Sequence, residues 1–212
     1  IIICSQSPVF RAACTGSFKE ASSQTYNMDS HPLPVVQRLV DYLYTGDYSE
    51  KLNEADIDDE DHQCELSFHA VMFALANKYD IEGLEALSAK KYAKELRKDS
   101  DVSNFLLSIP DVYNLTPGSS RGLRDLALEF AREKLGAFLT STEAQDVFND
   151  IADDNPEFIR ELLSSFLRAP LMGICFNCGH GKPVPVEVLQ CRCRECGKGG
   201  ASILDHQKKS WF

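Results

Sequence analysis

Two near-copies of one short pattern stand close to the end of the chain: Cys175-Phe-Asn-Cys178-Gly-His-Gly and Cys193-Arg-Glu-Cys196-Gly-Lys-Gly. Each reads C-x-x-C-G-x-G, the spacing that builds a tight metal knuckle. Two thiolates separated by two residues face one ion while backbone amides point at their sulfurs. Glycine just after the second cysteine admits the positive φ that such a turn requires. Fourteen residues lie between Cys178 and Cys193, just under the usual range for paired C-x-x-C sites. Between them Val184, Val186 and Val188 alternate as an extended arm of a small sheet does. The cofactor implied is a structural Zn2+ held by Cys175, Cys178, Cys193 and Cys196, since four thiolates close the shell and leave no open position for chemistry. The 42 residues of 171–212 cannot bury enough apolar surface to fold unaided, so the metal contributes folding free energy directly.

Other readings of the cysteines stay open beside that one. Cys191 lies two residues before Cys193 and could replace it, and His180 could substitute on the turn of Cys178. A disulfide framework is disfavoured, because Cys4, Cys14 and Cys64 sit singly in core-like contexts, as reduced thiols do. A thioredoxin-type dithiol would open a helix after a strand, which glycine-flanked knuckles do not provide. An iron centre remains a minor alternative.

Upstream, helical patterning dominates. Ser7-Pro-Val-Phe10 opens a short helix that packs Phe10, Ala13 and Cys14, and Phe18-Lys19-Glu20 forms a turn after it. Tyr26 and Met28 then alternate as a strand would. Pro32 and Pro34 open a helix whose Val36, Leu39, Val40 and Leu43 form an apolar stripe, ending at Gly46. The acidic run 49–62 reads as a solvated loop and lacks the ligand ladder of a calcium loop. Two helices follow, one carrying Leu66 to Ala76 and one carrying Ile81 to Leu96, with Asp80 as the expected N-cap of the second. His69, beside an apolar stripe, is expected to be a hydrogen-bonded structural residue. Beyond residue 98, Leu106 to Tyr113 has helical spacing interrupted by Pro110. Leu123 to Phe138 marks a long amphipathic helix. Thr140 and Glu143 are spaced as a capping box, and Asn155-Pro156 starts a last helix.

The order SPVF, Gly-x-Phe-x-Glu and YLYTGDY, followed by FHAVMFALANKYDIEGLEALSAKKY, resembles the BTB/POZ domain, most closely its fungal branch. The tail resembles a zinc ribbon. The fold class expected is therefore α+β, mostly helical: a BTB/POZ-like domain over 1–98, a helical extension over 99–170 and a zinc-ribbon-like tail over 171–212. The resemblance implies that the family's first strands and dimerisation helix precede Ile1, which leaves homodimerisation open. It also implies a non-catalytic module that holds other proteins. In relatives that recruit cullin-type ubiquitin ligases, a hydrophobic-x-Glu element follows the short helix, and Phe18 and Glu20 occupy that place as candidate partner-binding residues.

Composition excludes some classes. An apolar share of 43% and a charged share of 25% are those of ordinary globular protein, and no apolar run approaches the length of a membrane span. From residue 171 onward six Lys or Arg face three acids, a net of +3, which leaves −13 for 1–170. Such an acidic body repels nucleic acid. A nucleic-acid or chromatin contact, the alternative reading, would have to use Arg192, Arg194, Lys198, Lys208, Lys209 and Trp211 in the tail. No nucleophile with a base, no paired acids and no phosphate loop suggests an enzyme. The expected location is intracellular, in cytoplasm or nucleus.

Overall fold

The computed structural model describes residues 2–49, 64–98, 102–139, 142–168, 172–175, 177, 183–187, 192–193, 195–196 and 201–203. Outside the described residues lie most of the acidic run (50–62), Thr140, Cys178, His180, Val188 and Cys191, as well as Arg194, Lys198, Lys208, Lys209 and Trp211. The fold is mostly helical with a few short strands, as expected. Ten helices and four strands occur among the described residues, and every strand falls between Met172 and Ile203. The chain divides into two compact units, Ile1–Phe158 and Ile159–Phe212.

The first unit begins with α1 (Ile2–Gln6), α2 (Pro8–Thr15) and α3 (Lys19–Ser23). Ser7 caps α2, its Oγ accepting from the Phe10 N–H at 3.1 Å and donating to the Tyr79 carbonyl at 2.5 Å. One hydroxyl thus both starts the helix and ties it to a distant one. Phe10 and Ala13 are buried as expected, and the Phe10 ring stacks on Tyr79 with centroids 4.7 Å apart. Cys14, in contrast, is exposed. The expected strand at Tyr26 and Met28 does not form: side chains capture the backbone there instead. Ser23 Oγ accepts from the Thr25 N–H, and Asn27 Oδ1 accepts from the Asp29 N–H at 2.7 Å. Tyr26 packs edge-on against Phe10 at 5.1 Å.

Helix α4 (Leu33–Thr45) stops at Gly46, whose φ of 79° lies in the left-handed region that glycine occupies without a Cβ penalty. Its buried face is Val35, Arg38, Leu39, Tyr42 and Leu43, while Val40 is 40% exposed. The apolar stripe is therefore rotated from the one expected, because Tyr42 rather than Val40 turns inward. Behind the stop, Lys91 donates to the Tyr48 carbonyl at 2.6 Å, pairs with Asp47 at 2.8 Å and lies 4.3 Å over the Tyr48 ring. The hydrogen bond from Lys91 to its carboxylate holds Asp47 below its ordinary range.

Helices α5 (Glu65–Tyr79) and α6 (Glu82–Arg97) form an antiparallel pair joined at Asp80 and Ile81. Asp80 is the left-handed C-cap of α5 (φ 53°), not the N-cap of α6, and the Ile81 N–H closes the turn onto the Ala76 carbonyl at 2.9 Å. Asp and Asn tolerate that conformation better than other residues with a Cβ. The core gathers here: Phe10, Leu39, Leu43, Phe68, Met72, Leu75, Ile81 and Leu84 pack as one cluster. His69 is buried, its Nδ1 2.9 Å from the Tyr48 hydroxyl, as a structural histidine should be.

Helix α7 (Val102–Asn114) continues past Pro110 rather than ending there. Proline inside a helix costs about 3 kcal/mol, but Phe105, Leu106, Ile109 and Val112 are all fully buried and together offset it at roughly 2 kcal/mol each. α7 packs on α5, on α8 (Arg121–Phe138) and on α9 (Thr142–Asp154). The Tyr92 hydroxyl of α6 lies 2.9 Å from Ser108 Oγ of α7, and burial pushes that phenol far up. α10 (Pro156–Arg168) starts at the expected proline and crosses the point where the two units divide.

In the second unit β1 (Met172–Cys175), β2 (Val184–Glu187), β3 (Arg192–Cys193) and β4 (Ala201–Ile203) form one sheet in the order β3-β2-β1-β4. All pairings are antiparallel, with Gly173 opposite both Val184 and Ile203, and Val186 opposite Cys193. β2 is the extended valine arm read from the sequence.

Candidate functional site

Two places carry the candidate residues, one in each unit. In the first unit α2 ends at Gly16, whose N–H donates to the Ala12 carbonyl at 2.8 Å. A Cβ on Gly16 would stand 2.4 Å from that carbonyl oxygen and 3.2 Å from Phe18 Cδ2. Only glycine lets the chain turn this closely. Phe18 follows as the N-cap of α3, extended at φ −79° and ψ 158°, with its carbonyl accepting from the Ala21 N–H. Its ring is not used by the core: Phe18 is 59% exposed. Glu20 lies in the first turn of α3 and is half-buried.

In the second unit β1 ends at Cys175, β3 ends at Cys193, and a turn carries Cys196. Their three sulfurs lie within 4.8 Å of one another, with Cys175 and Cys196 Sγ 3.5 Å apart. A tetrahedral ion with sulfurs at about 2.3 Å spaces its ligands roughly 3.8 Å apart, whereas a disulfide needs about 2.05 Å. The spacing fits shared coordination and not a covalent bridge. Cys175 and Cys193 are buried, and the Asn177 side-chain amide points at Cys196 Sγ from 3.8 Å. Amide donors of this kind steady sulfur ligands. Cys178, the fourth expected ligand, lies outside the described residues, so the structure brings together three of the four.

Sequence reading missed the most deeply buried arginine among the described residues. Arg124 of α8 is 1% exposed and donates to the carbonyls of Tyr113 (3.1 Å) and Thr116 (2.8 Å). It also pairs with Glu157 at 3.1 Å and stacks over the Tyr113 ring at 4.6 Å. Arg124 stands on the apolar side of its helix, beside Leu123 and Ala127, a placement that a surface arginine would not have. Its role is to fasten α7, α8 and the start of α10.

A family model described as the HAC6 N-terminal domain matches residues 6–99, less than half of the chain. That stretch runs from the end of α1 to just beyond α6. No curated protein and no solved structure matches the chain. Among the described residues no helix is long and apolar enough to cross a membrane.

Proposed function

We propose that the chain is a non-catalytic protein–protein interaction module, BTB/POZ-like over 1–98, that docks partner proteins through the turn at Phe18 and Glu20. The observation that carries this reading is the exposure of Phe18 at 59% on a turn fixed by Gly16. A large aromatic kept out of the core gives up about 2 kcal/mol of burial, and aromatics are enriched where protein surfaces meet. A cullin-type ubiquitin-ligase scaffold is the partner class that the hydrophobic-x-Glu pattern fits. Binding of the full chain to a purified cullin, measured by calorimetry, tests it. Phe18→Ala with Glu20→Lys should abolish binding while helix content stays unchanged, and undiminished binding by this variant overturns the reading.

The tail, on the same proposal, is braced by a structural Zn2+ on Cys175, Cys178, Cys193 and Cys196. Support comes from the cluster among the described residues of the second unit, Cys175, Val184 and Cys193 with Cys196 packed on it. Three of those four residues are thiols, and so small a cluster cannot hold a sheet together by apolar burial alone. One zinc per chain by elemental analysis is expected from reduced protein; metal-free, folded tails would remove it.

A further inference from the structure

Helix α5 carries a stripe of Val71, Ala74 and Lys78, which recur at three- and four-residue spacing and so share one face. Val71 and Ala74 are half-buried there and Lys78 is exposed. Together with Leu75 of the same helix, and with Leu115 and Pro117 from the segment after α7, they line a cleft of about 490 Å³. Small-molecule sites have this size, and they too are mostly apolar with a few polar groups. The segment after α7 is pinned from within. The buried Arg124 donates to the Tyr113 and Thr116 carbonyls, and the Leu115 N–H donates to the Asp111 carbonyl at 3.2 Å. His31 lines the cleft as well, its N–H donating to the Met28 carbonyl and its Nε2 accepting from the Lys78 ammonium, each at 2.9 Å. Burial and then Lys78 hold that ring's pKa below its ordinary value, so at neutral pH Lys78 meets an uncharged partner. Among the described residues no carboxylate pairs with Lys78. An ammonium has three donors, and His31 uses one of them.

We propose that this cleft binds a free aliphatic monocarboxylate, its chain against Val71, Ala74, Leu75, Leu115 and Pro117 and its carboxylate on the Lys78 ammonium. Charge decides the head group. One cation balances one carboxylate, whereas a phosphate monoester would bring a second negative charge with nothing to meet it. The apolar lining decides the rest of the ligand, because it rewards methylene groups and offers nothing to a polar chain. A segment already fixed by Arg124 spares the ordering cost that a flexible site incurs on binding. Neither Phe18 nor Glu20 lines the cleft, so the site stands whether or not that turn docks a partner.

Titration of the full chain with sodium octanoate, followed by amide chemical shifts, tests the proposal. The amides of Ala74, Lys78 and Leu115 should move together and saturate. Hexanoate should bind more weakly, by about threefold for each methylene removed. Octanamide keeps the chain and lacks the charge, and it should bind about tenfold more weakly than octanoate. Lys78→Met should weaken octanoate by about the same factor and leave octanamide unchanged, with helix content preserved. Lys78→Arg should retain octanoate, and Leu115→Ser should weaken octanoate and octanamide alike. Equal binding of acid and amide overturns the proposal, as does unchanged octanoate binding by Lys78→Met, or shifts that centre elsewhere or never saturate. A short acetylated peptide with a C-terminal leucine that moves the same amides more tightly than octanoate would give the cleft to a peptide end instead. Shifts that follow protein concentration rather than octanoate would give it to a second copy of the chain, and either result overturns the free-acid assignment.

Discussion

Arg124 and His31 mark two ways in which a single side chain sets stability here. Arg124 is a buried cation satisfied by two backbone carbonyls, an aromatic face and one carboxylate. Removing it leaves those carbonyls without their donor in the core, at 1.5–3 kcal/mol for each charge-assisted bond. Arg124→Ala should therefore lower stability by about 3 kcal/mol in urea titration. Glu157→Gln should cost about 1 kcal/mol or less, because the carboxylate is 42% exposed and solvent already screens it. His31 works through protons. Burial, and then the neighbouring Lys78, lower its pKa from the ordinary value of 6.5, and the Lys78 ammonium donates to Nε2 at 2.9 Å. The folded state thus takes up its proton later than the unfolded chain does. Stability from this residue is complete above pH 6.5 and falls as pH drops through the window just below it. Comparing urea midpoints at neutral and mildly acidic pH should show that loss, and His31→Gln should flatten it; an unchanged slope in the variant would assign the loss to other groups.

Elements show which signals survive translation from sequence to structure. Gly46 was legible as a helix stop because a positive φ has one cheap solution, and Gly46→Ala should cost about 1 kcal/mol by forcing a Cβ into that conformation, as read from the thermal midpoint. Ser7-Pro8 and Pro156 were legible for the same local reason: caps and first-turn prolines depend on backbone groups only a few residues away. Asp80 was misread because Asp serves both as an N-cap and as a left-handed C-cap, and the choice rested on where α5 ended. Tyr26 and Met28 have a period of two without a partner strand among the described residues, so side-chain turns took over their backbone. Pro110 failed as a breaker because four fully buried neighbours outweigh one missing hydrogen bond. The Phe18-Lys19-Glu20 pattern was visible, but its exposure depends on how α2 meets α3.

At the scale of the whole molecule, the two units rest on different physics. The first owes its order to a wide apolar core shared by α2, α4, α5 and α6, with an aromatic pair, Phe105 and Phe130, joining α7 to α8 at 4.7 Å. Nothing in that core requires an ion. Among the described residues of the second unit, the cluster on the short antiparallel strands is three thiols and a valine. Reduced thiols a few ångströms apart contribute little burial and, once ionised, repel one another; only a shared cation turns that repulsion into a net gain. Metal removal should consequently separate the units in a single sample. With excess chelator at neutral pH, amides of β1 and β2 should lose protection from hydrogen exchange, while those of α5 and α6 keep theirs and far-ultraviolet helix signal barely changes. Cys193→Ser should reproduce the loss without chelator, because it removes a proposed ligand whose side chain is fully buried. Added zinc should restore protection in the chelated wild type but not fully in the variant. Strand amides that stay protected through chelation would mean that the small sheet holds itself together, and the ion would then be no part of its fold.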